Sequence, residues 1–459
     1  MTHSTPTFNH HQSRQLTLYR KQTDAWQFFN LLTSDDFLGH IEAHLPNHRE
    51  RLFPPTETLS MFLAQAMNDD RSCQRVVNDA AIKRIVYGLP ECSSHTGAYC
   101  RARQRLPLSF LNRLFEYAGK QVSQLSDTQW HWQARPVKLV DGTTLSMPDT
   151  PANQDAYPQL SSQKPGLGFP LCRLVAVLCL SSGALLGSAI SPMKGKGNDE
   201  QSLLRSLLDK LERGDVLLGD AYYATYFLYC SLQDMGVDAV FEQQGSRRLN
   251  TDFRKGTRLG ARDHLITLAK PKKCPHWMSL EDFEQAPESV VIRELYAGGK
   301  ILVTTMLCPK KTSKEAIKAL YLQRWHVELD LRNIKATLGM GVLSCKTPEM
   351  IHKEIAVYLL AYNLLRYLML QAALLANIQP RQLSFKHTLQ VWLVWQQHSG
   401  NRHDQELLLL IANKRVGNRP GRVEPRAVKR RPKPYPLLTQ TRRSLQEEIS
   451  KNGHPKKLK

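Results

Sequence analysis

Acidic residues are scarce in this chain of 459 residues: 41 Asp and Glu stand against 62 Lys and Arg, for a formal charge of +21. A surface that basic repels itself unless it meets a polyanion, so nucleic acid is the first partner to consider and anionic lipid the second. Unbroken apolar runs are missing. The two most hydrophobic stretches, 171–190 and 354–377, are interrupted by Arg173 and Ser181-Ser182-Gly183 in the first and by Glu354, Asn363, Arg366 and Gln371 in the second. Both read as buried elements, a hairpin and a helix, and no membrane association is expected. The first fifteen residues, MTHSTPTFNHHQSRQ, carry no apolar core of a secretory signal, which points to the cytoplasm. Cysteine is thin and unpatterned. Nine are scattered with no CxxC, and Cys92 and Cys100 around His95 lack a second Cys/His pair, so reduced thiols are expected rather than disulfides or zinc. GxxxxGK[ST] is absent and PGLGF is too short and badly spaced for a nucleotide loop, which leaves no nucleotide cofactor to expect. No internal repeat is present.

What is there divides the chain by pattern. With 42% apolar residues it has material for a substantial core. Residues 1–130 read as a helical domain: in LSFLNRLFEYA (108–118) the apolar residues follow a helical rhythm. Just before it, Arg101 and Arg105 share a helical face with Arg103 adjacent, a cluster that is either a solvated surface or a DNA contact. From 131 to 244 the pattern becomes α/β: three strands, a helix at 199–213, a short strand DVLLG, a helix at 224–235 and a strand VDAVFEQ, the order of a mixed sheet. Residues 245–308 depart from it, ending in two strand-like runs around Gly298-Gly299, and read as a β-rich insertion. Residues 309–345 hold a helix expected over 313–337. Two long helices, 349–377 and 384–412, are expected within 346–412, and 413–459 is a basic Pro/Arg-rich tail expected to be extended.

The helix at 313–337 contains YLQRWHVELDLRNIK (321–335). On an ideal helix with Tyr321 at 0°, Arg324, Glu328 and Lys335 fall at about 300°, 340° and 320°, one stripe, while Asp330 falls at about 180° and His326 at about 140°. The plain alternative is an exposed face with an Arg–Glu pair at i, i+4. Two further acids end strand-like runs: Asp141 follows VKLV and precedes Gly142-Thr143-Thr144, and Asp220 follows DVLLG. Side chains at the carboxyl ends of strands point into the crevice where α/β proteins bind ligands. Three converging carboxylates repel one another unless a cation joins them, and two divalent ions are the usual solution. Mg²⁺ suits such hard oxygen donors. Asp149, Asp155 and Asp215 lie in loops or at a strand start and read as ordinary.

The order Asp141, Asp220, Glu328, with the glutamate inside Y-x2-R-x3-E-x6-K, resembles the bacterial DDE transposases of insertion sequence family 4. Trp325 beside the arginine, DGTT, GDAYYA, TGAYCRARQRLP (96–107), KPGLGFP (164–170) and PGRVEPRAVKRRPKPYP (420–436) are also similar to that family, so the resemblance runs from about residue 50 to 440. It implies a ribonuclease H-like catalytic core with a mixed sheet, interrupted by the β-rich insertion and flanked by the helical N-terminal domain and the C-terminal helices. It implies that Asp141, Asp220 and Glu328 are catalytic and hold two Mg²⁺, with Mn²⁺ an acceptable substitute. Tyr321, Arg324 and Lys335, with Trp325, are then DNA contacts, joined by Arg101 and Arg105 for end recognition. Trp277, in the insertion with Tyr296 nearby, is a candidate to hold a flipped base. The activity implied is nicking of an element's ends, passage through a hairpin, and joining to target DNA by a homodimer on double-stranded DNA at the bacterial nucleoid. Two other readings stay open: a DNA-binding relative that no longer cuts, and a metal-dependent nuclease that does not join strands.

Overall fold

The computed structural model describes residues 52–86, 88–398, 404–417 and 437–453. The first fifty-one residues and most of the basic tail, including PGRVEPRAVKRRPKPYP, lie outside the described residues. Among the described residues four α-helices, Pro55–Met67, Cys73–Val86, Gly97–Arg105 and Leu108–Gln124, precede the first strand.

Nine strands then form one mixed sheet: β1 (Val137–Ser146), β2 (Leu171–Cys179), β3 (Leu185–Pro192), β4 (Val216–Gly219), β5 (Asp238–Glu242), β6 (Thr257–Gly260), β7 (Asp263–Ala269), β8 (Ser289–Ala297) and β9 (Lys300–Thr304). Their order is β3-β2-β1-β4-β5-β9-β8-β7-β6. β1, β4 and β5 run parallel, and every other pairing is antiparallel. Residues 245–308 are β-rich, as their composition suggests, and their strands continue this same sheet through the pairing of β9 with β5.

Alternation along the central strands feeds two cores. Leu139, Leu174, Leu178, Leu218 and Val240 enter one hydrophobic cluster, while Val140, Val175, Val177, Leu217, Ala239 and Phe241 enter the other. Successive side chains point to opposite faces of a strand, so runs apolar at every position mark strands covered on both sides. Helix Tyr226–Met235 covers one face, and the long helix Pro348–Leu375 covers the other. That long helix is apolar enough to cross a membrane, yet 89% of its most hydrophobic window is buried within the protein. Its Asn363, fully buried, accepts from Leu185 N and donates to Phe115 O and Leu185 O, tying the helix to β3 and to Leu108–Gln124. Gly119 permits that approach, because a Cβ there would lie 2.0 Å from the Leu185 carbonyl oxygen.

Three expectations are corrected. The helix expected at 199–213 is Glu200–Arg205 followed by a 3₁₀ turn, Leu208–Lys210. Of the helix expected over 384–412, Phe385–His398 and Asp404–Ala412 are helical, and 399–403 lie outside the described residues. In the tail, Arg442–Asn452 is helical rather than extended: Thr441 caps it through Ser444 N and Arg443 pairs with Glu447 one turn on, but it buries no residue. The expected helix 313–337 is Lys314–Leu322, an interruption at Gln323-Arg324, Trp325–Arg332, and a closing π turn, Asn333–Thr337.

Candidate active site

The interruption has a physical cause. Ile317, Leu320, Val327, Leu331, Ile334 and Leu338 are all buried, a helical stripe facing the sheet. Arg324 occupies the stripe's missing step. A guanidinium cannot enter an apolar core without partners, and here the backbone tightens to i→i+3 bonds, Arg324 N to Tyr321 O and Val327 N to Arg324 O, as the side chain turns to meet acids.

Those acids come from β1 and the helix itself. Arg324 donates to Glu328 Oε1 at 2.8 Å, and its other terminal nitrogen lies 3.9 Å from Asp141 Oδ2. Lys335 Nζ donates to Thr143 Oγ1 at 2.9 Å, so the π turn brings the lysine to the same strand two residues further on. Tyr321 donates to Glu242 Oε2 at the end of β5, at 3.4 Å. The three positions do not lie on one ideal helix, yet each reaches a residue of β1 or β5, strands in the interior of the sheet.

Asp141 does not end its strand, as the sequence suggests, but is the fifth residue of β1, which continues to Ser146. β1 pairs with β4 in the parallel register Val137↔Val216, Lys138↔Leu217, Leu139↔Leu218, and the same register carried on sets Asp220 opposite Asp141. Asp220 follows β4 directly and caps the turn Ala221–Tyr223 by accepting from Tyr222 N at 2.8 Å. Burial pushes the Asp141 carboxyl up to about 6, reinforced by Asp220 and Glu200 and opposed by the Gly142 N–H and by Arg324. Burial also raises the Tyr321 hydroxyl and lowers the Lys335 ammonium. Arg324 stays charged despite burial because Glu328, Tyr321 and Asp141 favour its cation.

The opposite face of Trp325–Arg332 is anchored. Asp330, fully buried, takes Arg366 on one oxygen and Arg381 on the other, the latter at 2.6 Å. Arg381 also donates to Leu180 O at 2.7 Å and Cys179 O at 3.1 Å, which fixes the Glu328 helix to the β2–β3 turn. His326 hydrogen-bonds Gln323 and is lowered to about 4 by burial and the two arginines, against Asp330.

Other candidates are dispersed. Arg101 and Arg105 are exposed, whereas Arg103 between them is buried over Phe62 and Tyr99 and donates to Gln65. Trp325 is 55% exposed beside Arg324. Trp277 is half-buried against the second core, edge-on to Phe227 with Arg205 3.7 Å above its ring. Asp215 is a turn residue, accepting from Glu212 N and near Lys138.

Glu200 stands in the neighbourhood without having been selected from the sequence. It packs where Gly142 lacks a side chain, its carboxylate within 2.4–2.7 Å of a notional Cβ there, near Arg173 at 3.7 Å and Tyr223 Oη at 3.5 Å. Burial and Asp220 raise it, against Arg173. The one signal for it was local: DE opening a helix just after a GKG loop. Among the described residues no group of three or more His, Cys, Asp and Glu side chains is arranged to hold a metal ion. The donor oxygens of Asp141, Asp220 and Glu328 suit Mg²⁺ in kind, but Arg324 stands between two of them.

Residues 132–364 match the family model described as transposase DDE domain. The chain belongs to the DDE transposases. The match takes in Asp141, Asp220 and the whole 321–335 stretch, and it covers just over half of the chain. This transposase is 29% identical over 369 residues to the transposase InsG for insertion sequence element IS4 of Escherichia coli (strain K12), an alignment covering 76% of this chain and 79% of that protein. It is thereby placed with the insertion sequence transposases that its motif resembles.

Proposed function

We propose that this transposase binds the ends of its insertion sequence, nicks them by metal-dependent phosphoryl transfer, passes through a hairpin, and joins the ends to target DNA. The single observation that supports this most is the meeting of Arg324 with both Asp141 and Glu328 while Lys335 reaches Thr143 on the same strand. Asp141, Asp220 and Glu328 would hold Mg²⁺ or Mn²⁺, whose chemistry is to activate the attacking oxygen and stabilise the leaving one. The core is read as ribonuclease H-like, with 245–308 as its insertion.

The chain's own residues account for the substrate. Arg324 offers two parallel N–H donors to one phosphate, and Lys335 supplies a compact charge beside it. Tyr321 adds a hydroxyl donor, and the exposed Trp325 ring is free to stack at the strand's edge. Held there, the scissile phosphate faces Asp141 and Asp220. Water attacks phosphorus first and leaves a 3′-hydroxyl; that hydroxyl then displaces the 3′ oxygen of the flanking nucleotide on the opposite strand, closing the hairpin. The exposed Arg101 and Arg105 serve end recognition, and a homodimer brings two ends together in the cytoplasm at the nucleoid.

The test is incubation of the purified protein with its flanking terminal-repeat duplex and Mg²⁺. The expected products are 3′ nicks, hairpins and joined strands. Asp141→Ala, Asp220→Ala and Glu328→Ala should each keep end binding and lose nicking; a variant that still nicks takes its residue out of the site. Nicks that never proceed to joined products would reduce the reading to a nuclease.

A further inference from the structure

One guanidinium serves two of the acids proposed to bind metal. Arg324 is hydrogen-bonded to Glu328 at 2.8 Å and lies 3.9 Å from Asp141, with all three side chains largely withdrawn from water: 17%, 36% and 20% exposed. Its positive charge stands beside both carboxylates.

The same side chain has another partner to turn to. A DNA phosphate offers Arg324 a bidentate acceptor of the same geometry as a carboxylate. The side chain springs from the i→i+3 turn between two helices, with exposed Gln323 and Trp325 on either side. The Glu328 helix does not move with it, because Asp330, Arg366 and Arg381 clamp its far face.

We propose that Arg324 couples metal loading to DNA-end binding: in the DNA-free protein its guanidinium takes the cation's place between Asp141 and Glu328, and a DNA phosphate draws it off and opens both carboxylates to the divalent ion. This rests on the reading of those acids as metal ligands. It makes cutting conditional, since a protein that has not found an end has no loaded site. By linkage, whatever factor DNA contributes to metal affinity the metal returns to DNA affinity.

The test measures Mn²⁺ binding by electron paramagnetic resonance and calorimetry on the full chain, with and without a duplex carrying an already cleaved terminal repeat. For the wild type, the duplex should tighten Mn²⁺ binding by about tenfold or more, the size of ordinary couplings between sites. Arg324→Met should bind Mn²⁺ without DNA as tightly as the wild type does with it, and adding Glu328→Gln should remove that gain. Wild-type protein that binds Mn²⁺ equally well with and without DNA, or no more weakly than Arg324→Met, overturns the coupling and leaves the metal-ligand reading standing. Absence of Mn²⁺ binding in both the DNA-bound wild type and Arg324→Met takes down the coupling and the metal-ligand reading together. The wild-type comparison needs no substitution, so a variant that fails to fold does not remove the test.

Discussion

Asp141→Asn should make this protein more stable at neutral pH while removing its activity. The carboxyl ionises at about 6 in the folded state against an ordinary 3.8. Because the folded pKa is the higher one, the native state holds the extra proton between those values, and stability falls as pH rises through that window. The penalty is complete above about pH 6. Spread over that interval at about 1.4 kcal/mol per pH unit, it is about 3 kcal/mol at pH 8 and about half that at pH 5. Asparagine keeps the acceptor for the Gly142 N–H, and Arg324 keeps Glu328, so little is lost in exchange. The assay is thermal or urea denaturation of both proteins, without DNA or divalent metal, at pH 5 and pH 8. The variant's advantage should be roughly twice as large at pH 8 as at pH 5. An advantage that is independent of pH, or a variant less stable than wild type at pH 8, would refute the account of a buried and unfavourably ionised Asp141.

Two further outcomes follow from the same geometry. Asp330→Ala leaves Arg366 and Arg381 without their shared carboxylate at side-chain exposures of 4% and 10%, and should cost about 3–5 kcal/mol in urea unfolding; a loss under about 1 kcal/mol would show that the clamp is not what holds the Glu328 helix. Lys335→Ala should weaken end binding and lower the slope of log affinity against log salt by about one. An unchanged slope would make the Lys335–Thr143 bond a purely internal contact.

Much of the fold was legible because apolar pattern and turn chemistry agree along the chain. The runs VKLV, LCRLVAVLC and DVLLG are strands because apolar residues follow one another in them instead of alternating with polar ones, and the sheet buries those residues on both faces. The interruptions by Asn363 and Arg366 mark a helix buried within the protein: in the structure those polar groups find β3, Tyr362 and Asp330. Less legible were features set by tertiary contacts. That β9 would pair with β5, extending one sheet, depends on a crossing that no local pattern encodes. Glu200 was invisible as a neighbour of the acids because its position is set by the absence of a side chain at Gly142, 58 residues away in sequence.

The stretch 321–335 was legible in content and not in shape. An ideal wheel aligns Tyr321, Arg324, Glu328 and Lys335, but the backbone tightens at Arg324 and widens at Asn333–Thr337, and the alignment survives through contacts rather than through periodicity. The cause lies in a local conflict: a charged residue occupies a core-facing step of an otherwise apolar stripe. Sequences commonly break their own local rules where function requires it, and here the breach is what brings a guanidinium to Asp141. Replacing Arg324 with leucine would satisfy the stripe and would leave Asp141 and Glu328 without the guanidinium they share. That an arginine stands there, irregular backbone and all, is the strongest physical reason to treat this face of the sheet as a place built for phosphate and metal.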